Sequence, residues 1–309
     1  MSDVGVLLQQ WRKSRRLSQL ALAAEAVVSL RHLCFIETGR ARPSRTMVLR
    51  LADALDVPLR ERNTLLLAAG FAPVYRESPV EAPVLAAISG ALGAILTQQE
   101  PYPAVVMDRD WNIRQTNDAA DRLFDLLTAG HSPGPPGPPN VLRMMLHPDG
   151  VRRYVTNWPE VATALLRRIR REATGGSTDE HARRMLTEVL TYPEMPRPPA
   201  APDEHPQLPI IPVRFARDRH VFSYFSTVTT LGTAQDVTLE ELRIELFHPE
   251  DQPTREAADA LRRWVGQAGG GGTAIQVVPP LVDTDASDAS SGPSPASEAG
   301  AATTTPPLR

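Results

Sequence analysis

The sequence predicts two folded parts of different class: an all-α helix-turn-helix domain of five helices, then an α/β (α+β) domain built on an antiparallel sheet. Three observations lead there. Leu17 to Arg40 reads as two short helices either side of a tight turn, with serines where helix caps belong. Apolar residues recur at helical spacing up to about Thr97, whereas period-two alternation begins only after Tyr102. Charge divides along the same line. Residues 1–75 hold 11 basic against 6 acidic side chains, a net of +5, which leaves −8 for the rest of a chain whose total is −3. A basic head on an acidic body suggests that the first meets phosphate and the second does something else.

The head is expected over residues 1–75. Val6 to Arg15 forms a first amphipathic helix with Val6, Leu7 and Trp11 inward. Ser18 caps a second, Gln19 to Ala26, and Ser29 a third that runs to Thr38 and is stopped by Gly39. Ala23, Val28, Leu33 and Ile36 take the inward positions of the motif. Pro43 and Ser44 open a fourth helix carrying Val48, Leu51, Ala52 and Leu55 on one face, and Leu59 to Ala69 is a fifth, closed by Gly70. Five helices in so short a span resemble the lambda-repressor-like DNA-binding domain. Residues 76–98 are then a polar linker and a connecting helix, Val84 to Thr97.

The body is expected over residues 99–266. Ala104–Met107 and Asn112–Thr116 read as a hairpin, Asn117 caps a helix to Leu127, and Asn140–Leu146 is a short helix. His131–Pro139 and Pro193–Pro209 are too rich in proline for helix or inner strand. Pro159 sits in the first turn of a helix with Val161, Leu165 and Ile169 on one side, and His181–Tyr192 is helical. Strands follow at Ile210–Ala216, His220–Thr230 and Leu242–Phe247, then a helix from Glu256 to Val265. About five antiparallel strands with helices over one face can enclose a ligand cavity between the layers. Residues 267–309, poor in apolar side chains, are expected to be a disordered tail.

Composition excludes several classes. No apolar run approaches the roughly 20 residues of a membrane span, and the N-terminus lacks a signal-peptide pattern. The single cysteine, Cys34, cannot close an internal disulfide, which suits a reducing cytoplasm. His147-Pro-Asp149 and His248-Pro-Glu250-Asp251 read as turns rather than metal ligands, and no cysteine cluster is present. Nucleophile elbow, phosphate loop and convergent His/acid set are all missing from the acidic part, so an enzyme recruited to DNA is the weaker alternative, beside a ligand-free interaction scaffold.

Two long stretches carry a family resemblance: SLRHLCFIETGRARPSRTMVLRLADALDVPLRERNTLLLAAGFAP (Ser29–Pro73) and LGTAQDVTLEELRIELFHPED (Leu231–Asp251), with EPYPAVVMDRDWNI and NWPEVA between them. The chain resembles the MmyB-type transcriptional regulators, an XRE-family helix-turn-helix followed by an MmyB-like ligand-binding domain. The resemblance implies a bacterial DNA-binding regulator with a PAS-like C-terminal domain and, as its small apolar ligand, a fatty acid. It also marks departures. The family's usual glycine in the turn of the motif is Val27 here, its usual serine is Cys34, and a polar residue is replaced by Leu30.

Candidate DNA-contacting residues are Gln19, Ser29, Leu30, Arg31, His32, Phe35, Arg40 and Arg45. Arg31 and His32 lie where a recognition helix meets base edges, since arginine can bridge guanine O6 and N7, while Leu30 suits a thymine methyl. Gln19 and Arg40 are placed to hold backbone phosphates. Each is also an ordinary solvated residue of a helical bundle. Cys34, between inward Leu33 and Ile36, reads as a partly packed thiol rather than a redox switch. The Arg167, Arg168, Arg170 and Arg171 run reads as a charged helix face. For a ligand cavity, the apolar positions of Val221–Val228 and Leu242–Phe247 with Val105, Met107 and Ile113 are candidates. Asn117, Asn140 and Arg143 are the polar ones, able to hold an acyl carboxylate. No cofactor is expected. The partners are double-stranded DNA and a second copy of the chain, because one small helix-turn-helix makes few base contacts, and no membrane is involved.

Overall fold

The computed structural model describes residues 3–79, 83–128, 137–174, 180–196 and 210–263. The expected tail and most of both proline-rich loops lie outside them.

Five helices build the head: α1 (Asp3–Ser14), α2 (Gln19–Glu25), α3 (Leu30–Glu37), α4 (Arg45–Ala54) and α5 (Leu59–Ala68). Serine hydroxyls start three of them. Ser18 accepts from Ala21 N–H, Ser29 from His32 N–H and Ser44 from Met47 N–H, each taking one of the donors that a helix start leaves free. Leu8, Leu22, Leu33, Ile36, Val48, Leu51 and Leu65 fill the core between them. The first helix is rotated from its expected face. Val4, Leu8 and Trp11 are buried, whereas Val6 and Leu7 are only half-buried. Gly5 explains the seating: a Cβ there would stand 2.5 Å from the Ile36 carbonyl oxygen, so α1 crosses the end of α3 backbone to backbone. In the motif itself, Val28 is likewise half-buried, and Leu22 takes the deeper place.

The body is one five-stranded antiparallel sheet of β1 (Ala104–Met107), β2 (Ile113–Thr116), β3 (Val213–Arg217), β4 (His220–Thr229) and β5 (Arg243–Pro249), ordered β2-β1-β5-β4-β3. That order, with helices inserted between β2 and β3, is PAS-like. The inserted helices are α7 (Asp118–Thr128), α8 (Val141–Leu146), α9 (Trp158–Thr174) and α10 (Glu180–Leu190). They pack with Val105, Met107, Phe215, Phe222 and Tyr224 into the larger core.

Helices over one face alone is not what the chain builds. The connecting helix α6 (Pro83–Gln98) sets Leu92 and Leu96 against Ala104, Val106, Leu242 and Ile244, a separate cluster. The reason is the even-numbered apolar row of β5, which a strand must turn to the opposite face from its odd-numbered residues. A four-residue helix, α11 (Val237–Glu240), precedes β5, and α12 (Gln252–Arg263) closes the described chain. On β4, Ser223 is buried between Phe222 and Tyr224 because its N–H donates to Thr254 Oγ1 of α12 at 2.9 Å. Val221, expected among the alternating apolar positions, is exposed.

Candidate DNA interface and ligand cavity

The recognition helix α3 is held from behind by a buried ion pair. Arg12 Nε and Nη2 donate to Glu37 Oε1 and Oε2 at 2.7 and 2.8 Å, and Arg12 Nη1 donates to the Leu17 carbonyl at 2.9 Å. Glu37 is 0% exposed. Burial pushes its carboxyl up, but the bonds from Arg12 and Gln19 outweigh that and hold it below the usual carboxylate range. Gln19 Nε2 donates to Glu37 Oε2 at 2.8 Å. The side chain expected to reach phosphate therefore locks α2 to the end of α3, leaving its amide oxygen and backbone for other contacts.

With Glu37 inward, the opposite face of α3 is open. Ser29, Leu30 and Arg31 are exposed and His32, Cys34 and Phe35 half-buried. The Arg31 guanidinium lies 5.4 Å from the centre of the Phe35 ring, which pre-sets a long side chain at the middle of this face. Arg40, Arg42 and Arg45, in the loop after α3 and the start of α4, are exposed as well. Arg42 was not among the residues singled out from sequence, where nothing sets it apart from the arginines around it.

A second site lies between sheet and helices in the body. A cavity of about 60 Å³ is lined by Pro103, Val105, Met107, Leu123, Phe124, Val141, Met144, Met145, Val161, Leu165, Val213, Phe215, Glu245 and Phe247. Thirteen of these are apolar and one carries charge. Expected lining residues Val105, Met107 and Phe247 are there. Leu242, Ile244 and Leu246 are not, because they face α6 and so turn Arg243, Glu245 and Phe247 of β5 toward the helices. A larger, open cleft between the domains is lined mainly by charged and polar groups, among them Arg60, Glu77, Arg109, Asp110 and Glu180.

The three polar residues expected at the cavity do not line it, and each is bonded elsewhere. Asn117 is buried. Its Oδ1 accepts from Ala104 and Ala120 N–H and its Nδ2 donates to the Leu96 and Tyr102 carbonyls, tying α6, β1 and α7 together. Asn140 caps α8 through Oδ1 and donates to the Asp110 carbonyl and Asn112 Oδ1. Arg143 makes a two-bond pair with Glu188 at 2.7 and 2.8 Å. Tyr192 O–H donates to the same carboxylate, and burial with that charge nearby pushes the phenol up to about 12. Capping and ladder-bridging asparagines look the same in sequence as ligand-binding ones.

The arginine run of α9 is more than a charged face. Arg168 lies 4.3 Å from the centre of the Trp111 ring, with Glu172 and Glu245 at 3.7 and 3.8 Å, and burial lowers its affinity for the proton. Trp111 itself is buried, has φ +65°, and its indole N–H donates to Glu172 Oε2 at 3.0 Å. Among the described residues no group of three His, Cys, Asp or Glu side chains is arranged to hold a metal ion, and no single helix is long and apolar enough to cross a membrane.

A basic helix-turn-helix head and an α+β body around an apolar cavity make a DNA-binding transcription regulator with a ligand-sensing domain. Residues 3–65 match the helix-turn-helix domain family and residues 88–261 the MmyB-like transcription regulator ligand binding domain. The chain belongs to the MmyB-like transcription regulators. No curated protein matches it. Among solved structures, it is similar at a TM-score of 0.24 and 14% identity to an RNA-binding light-oxygen-voltage receptor. The match covers 85% of this chain and spans 62% of the receptor's length.

Proposed function

We propose that this chain is a dimeric regulator working in the bacterial cytoplasm, where the DNA is, and that an acyl-chain ligand in the cavity sets its DNA affinity. The observation that carries the ligand class is the lining, whose only ionisable member is Glu245. Such a wall rewards methylene groups and penalises polar ones. Three methionines, Met107, Met144 and Met145, give it the adaptability that a chain of variable length needs. DNA recognition falls to α3. Arg31 reads a base edge, Leu30 meets a thymine methyl, and Arg40, Arg42 and Arg45 hold phosphates. The reaction class is binding, not catalysis.

One set of measurements tests both halves. Native mass spectrometry of the full chain, gently purified, is expected to show a fatty acyl mass adduct, and dodecanoic acid is expected to shift its Kd for a duplex selected in vitro. In the same assay, Arg31→Ala should relax base preference at one position for about 1–3 kcal/mol. Arg40→Ala should weaken all duplexes alike and lower the salt slope by about one ion. A clean apo mass together with a Kd unmoved by the acid rejects the acyl reading. Equal, sequence-blind losses for the two arginines reject the role given to Arg31.

A further inference from the structure

We infer that strand β5 carries the state of the cavity to the DNA-binding domain through Glu240 and Glu241, which hold the start of α5. The inference rests on the cavity being the ligand site.

Helix α5 has no cap of its own. Pro58 stands at the N-cap position and makes no side-chain bond. The missing acceptor comes from the other domain: Leu59 N–H donates to Glu240 Oε2 at 2.7 Å, across 181 residues of sequence. The next residue is gripped harder. Arg60 Nε and Nη2 donate to Glu241 Oε1 and Oε2 at 2.7 and 2.9 Å, while its Nη1 donates to Glu77 of the linker at 2.9 Å. Arg109, in the β1–β2 turn, shares Glu241 at 3.1 Å. The linker is fastened to the same turn, where Ser78 Oγ donates to Asp236 Oδ2 at 2.7 Å and Val237 N–H to the Arg76 carbonyl at 2.8 Å.

From Glu241 the chain runs directly into β5. Arg243 meets Glu172 at 2.8 Å and lies beside Trp111, Glu245 accepts from Ser226 at 2.6 Å, and Glu245 and Phe247 form cavity wall. About 13 Å of extended strand, Arg243 to Phe247, thus joins the cavity to the turn whose carboxylates hold α5. The cavity volume makes movement necessary. Pockets that hold drug-sized ligands run to about 300–1,000 Å³, so an acyl chain entering 60 Å³ has to push its walls apart. A strand hydrogen-bonded on both edges shifts as a unit rather than bending at one residue. A shift of about 1 Å at Glu241 stretches a 2.7 Å bond beyond hydrogen-bond range. The bonds most sensitive to β5 are those that orient α5, and with it the head.

The test is a double-mutant cycle on the full chain, read as Kd for a duplex selected in vitro, and it needs no ligand. Phe247→Ala alters the cavity end of β5 and Glu241→Gln the α5 end. The double variant is expected to depart at least threefold from the product of the single effects. A product obeyed within about twofold, as for independent distant sites, overturns the inference. If Phe247→Ala does not fold, Phe247→Leu, a smaller change at the same wall position of β5, takes its place. Hydrogen exchange adds a second reading: the cavity variant should lose at least threefold protection at the Leu59 amide, and unchanged protection overturns the inference. Dodecanoic acid separates the two claims. A Kd shift in the wild type that is lost in Glu241→Gln supports both. Equal shifts in the two proteins overturn the coupling and leave the ligand. No shift, with a non-multiplicative cycle, keeps the coupling and removes the acyl ligand.

Discussion

Val27 occupies the turn of the helix-turn-helix with φ +51°, a conformation in which its branched Cβ crowds the backbone. It is held there because its N–H donates to the Ala24 carbonyl at 3.2 Å and the Val28 N–H to Ala23 at 2.9 Å. Its side chain is 80% exposed, so almost no packing offsets the strain of about 1–3 kcal/mol. Val27→Gly removes that strain, while glycine's extra freedom in the unfolded chain takes some back. The expected outcome is a stabilisation of about 1 kcal/mol in urea unfolding of the full chain, with DNA affinity held. Lower stability would mean that the valine side chain contributes something its exposure does not reveal. The departure from the family's glycine was readable in the sequence. That the turn keeps its geometry in spite of it was not, because sequence allows the turn to shift instead.

All five helices of the head end in the same way, with a left-handed residue whose neighbours bond back to the last turn. Gly39 and Gly70 serve α3 and α5, while Arg16, Val27 and Asp56 serve α1, α2 and α4. The glycine stops and the serine starts were legible from residue type. The left-handed conformation of Arg16 and Asp56 was not, and that of Val27 was marked only through the family's glycine. The start of α5 at Leu59 was legible, but what caps it was not, because the acceptor lies in the other domain. Glu240 is raised above the ordinary carboxylate range by burial, only partly countered by the Leu59 N–H, and Glu241 and Asp56 push the same way. An acid with a raised pKa in the fold is destabilised on ionising, so this stability falls as pH rises through the interval above the unfolded value. Glu240→Gln keeps an acceptor for Leu59 without the charge, and is expected to match or exceed wild-type stability at pH 7. Glu240→Ala loses the cap for about 1 kcal/mol. Urea curves at pH 7 decide it, and equal losses in both variants would show that the charge itself is what α5 needs.

At the scale of the whole molecule, the split of +5 in the head against −8 in the rest lets one chain approach phosphate with one end and turn away with the other. Coarse partition of this kind is what the sequence conveyed best, because charge and periodicity are summed over many residues. What it could not convey are contacts between distant positions, such as Glu240 with Leu59 or Arg12 with Glu37, which no local pattern records. The same reasoning bears on assembly. Helix α3 has only eight residues, and an open face of Ser29, Leu30, Arg31, His32 and Phe35 offers too few side chains for tight binding alone. Two copies joined through their bodies would place two such helices on half-sites about 34–36 Å apart, one turn of the duplex. A selected operator is therefore expected to be a near-palindrome with that spacing. Inserting five base pairs at its centre turns one half-site to the opposite face of the DNA, and should weaken binding at least tenfold in a fluorescence anisotropy titration. Unchanged affinity would mean that each head binds by itself, and a change in the arrangement of two bodies could then not regulate it.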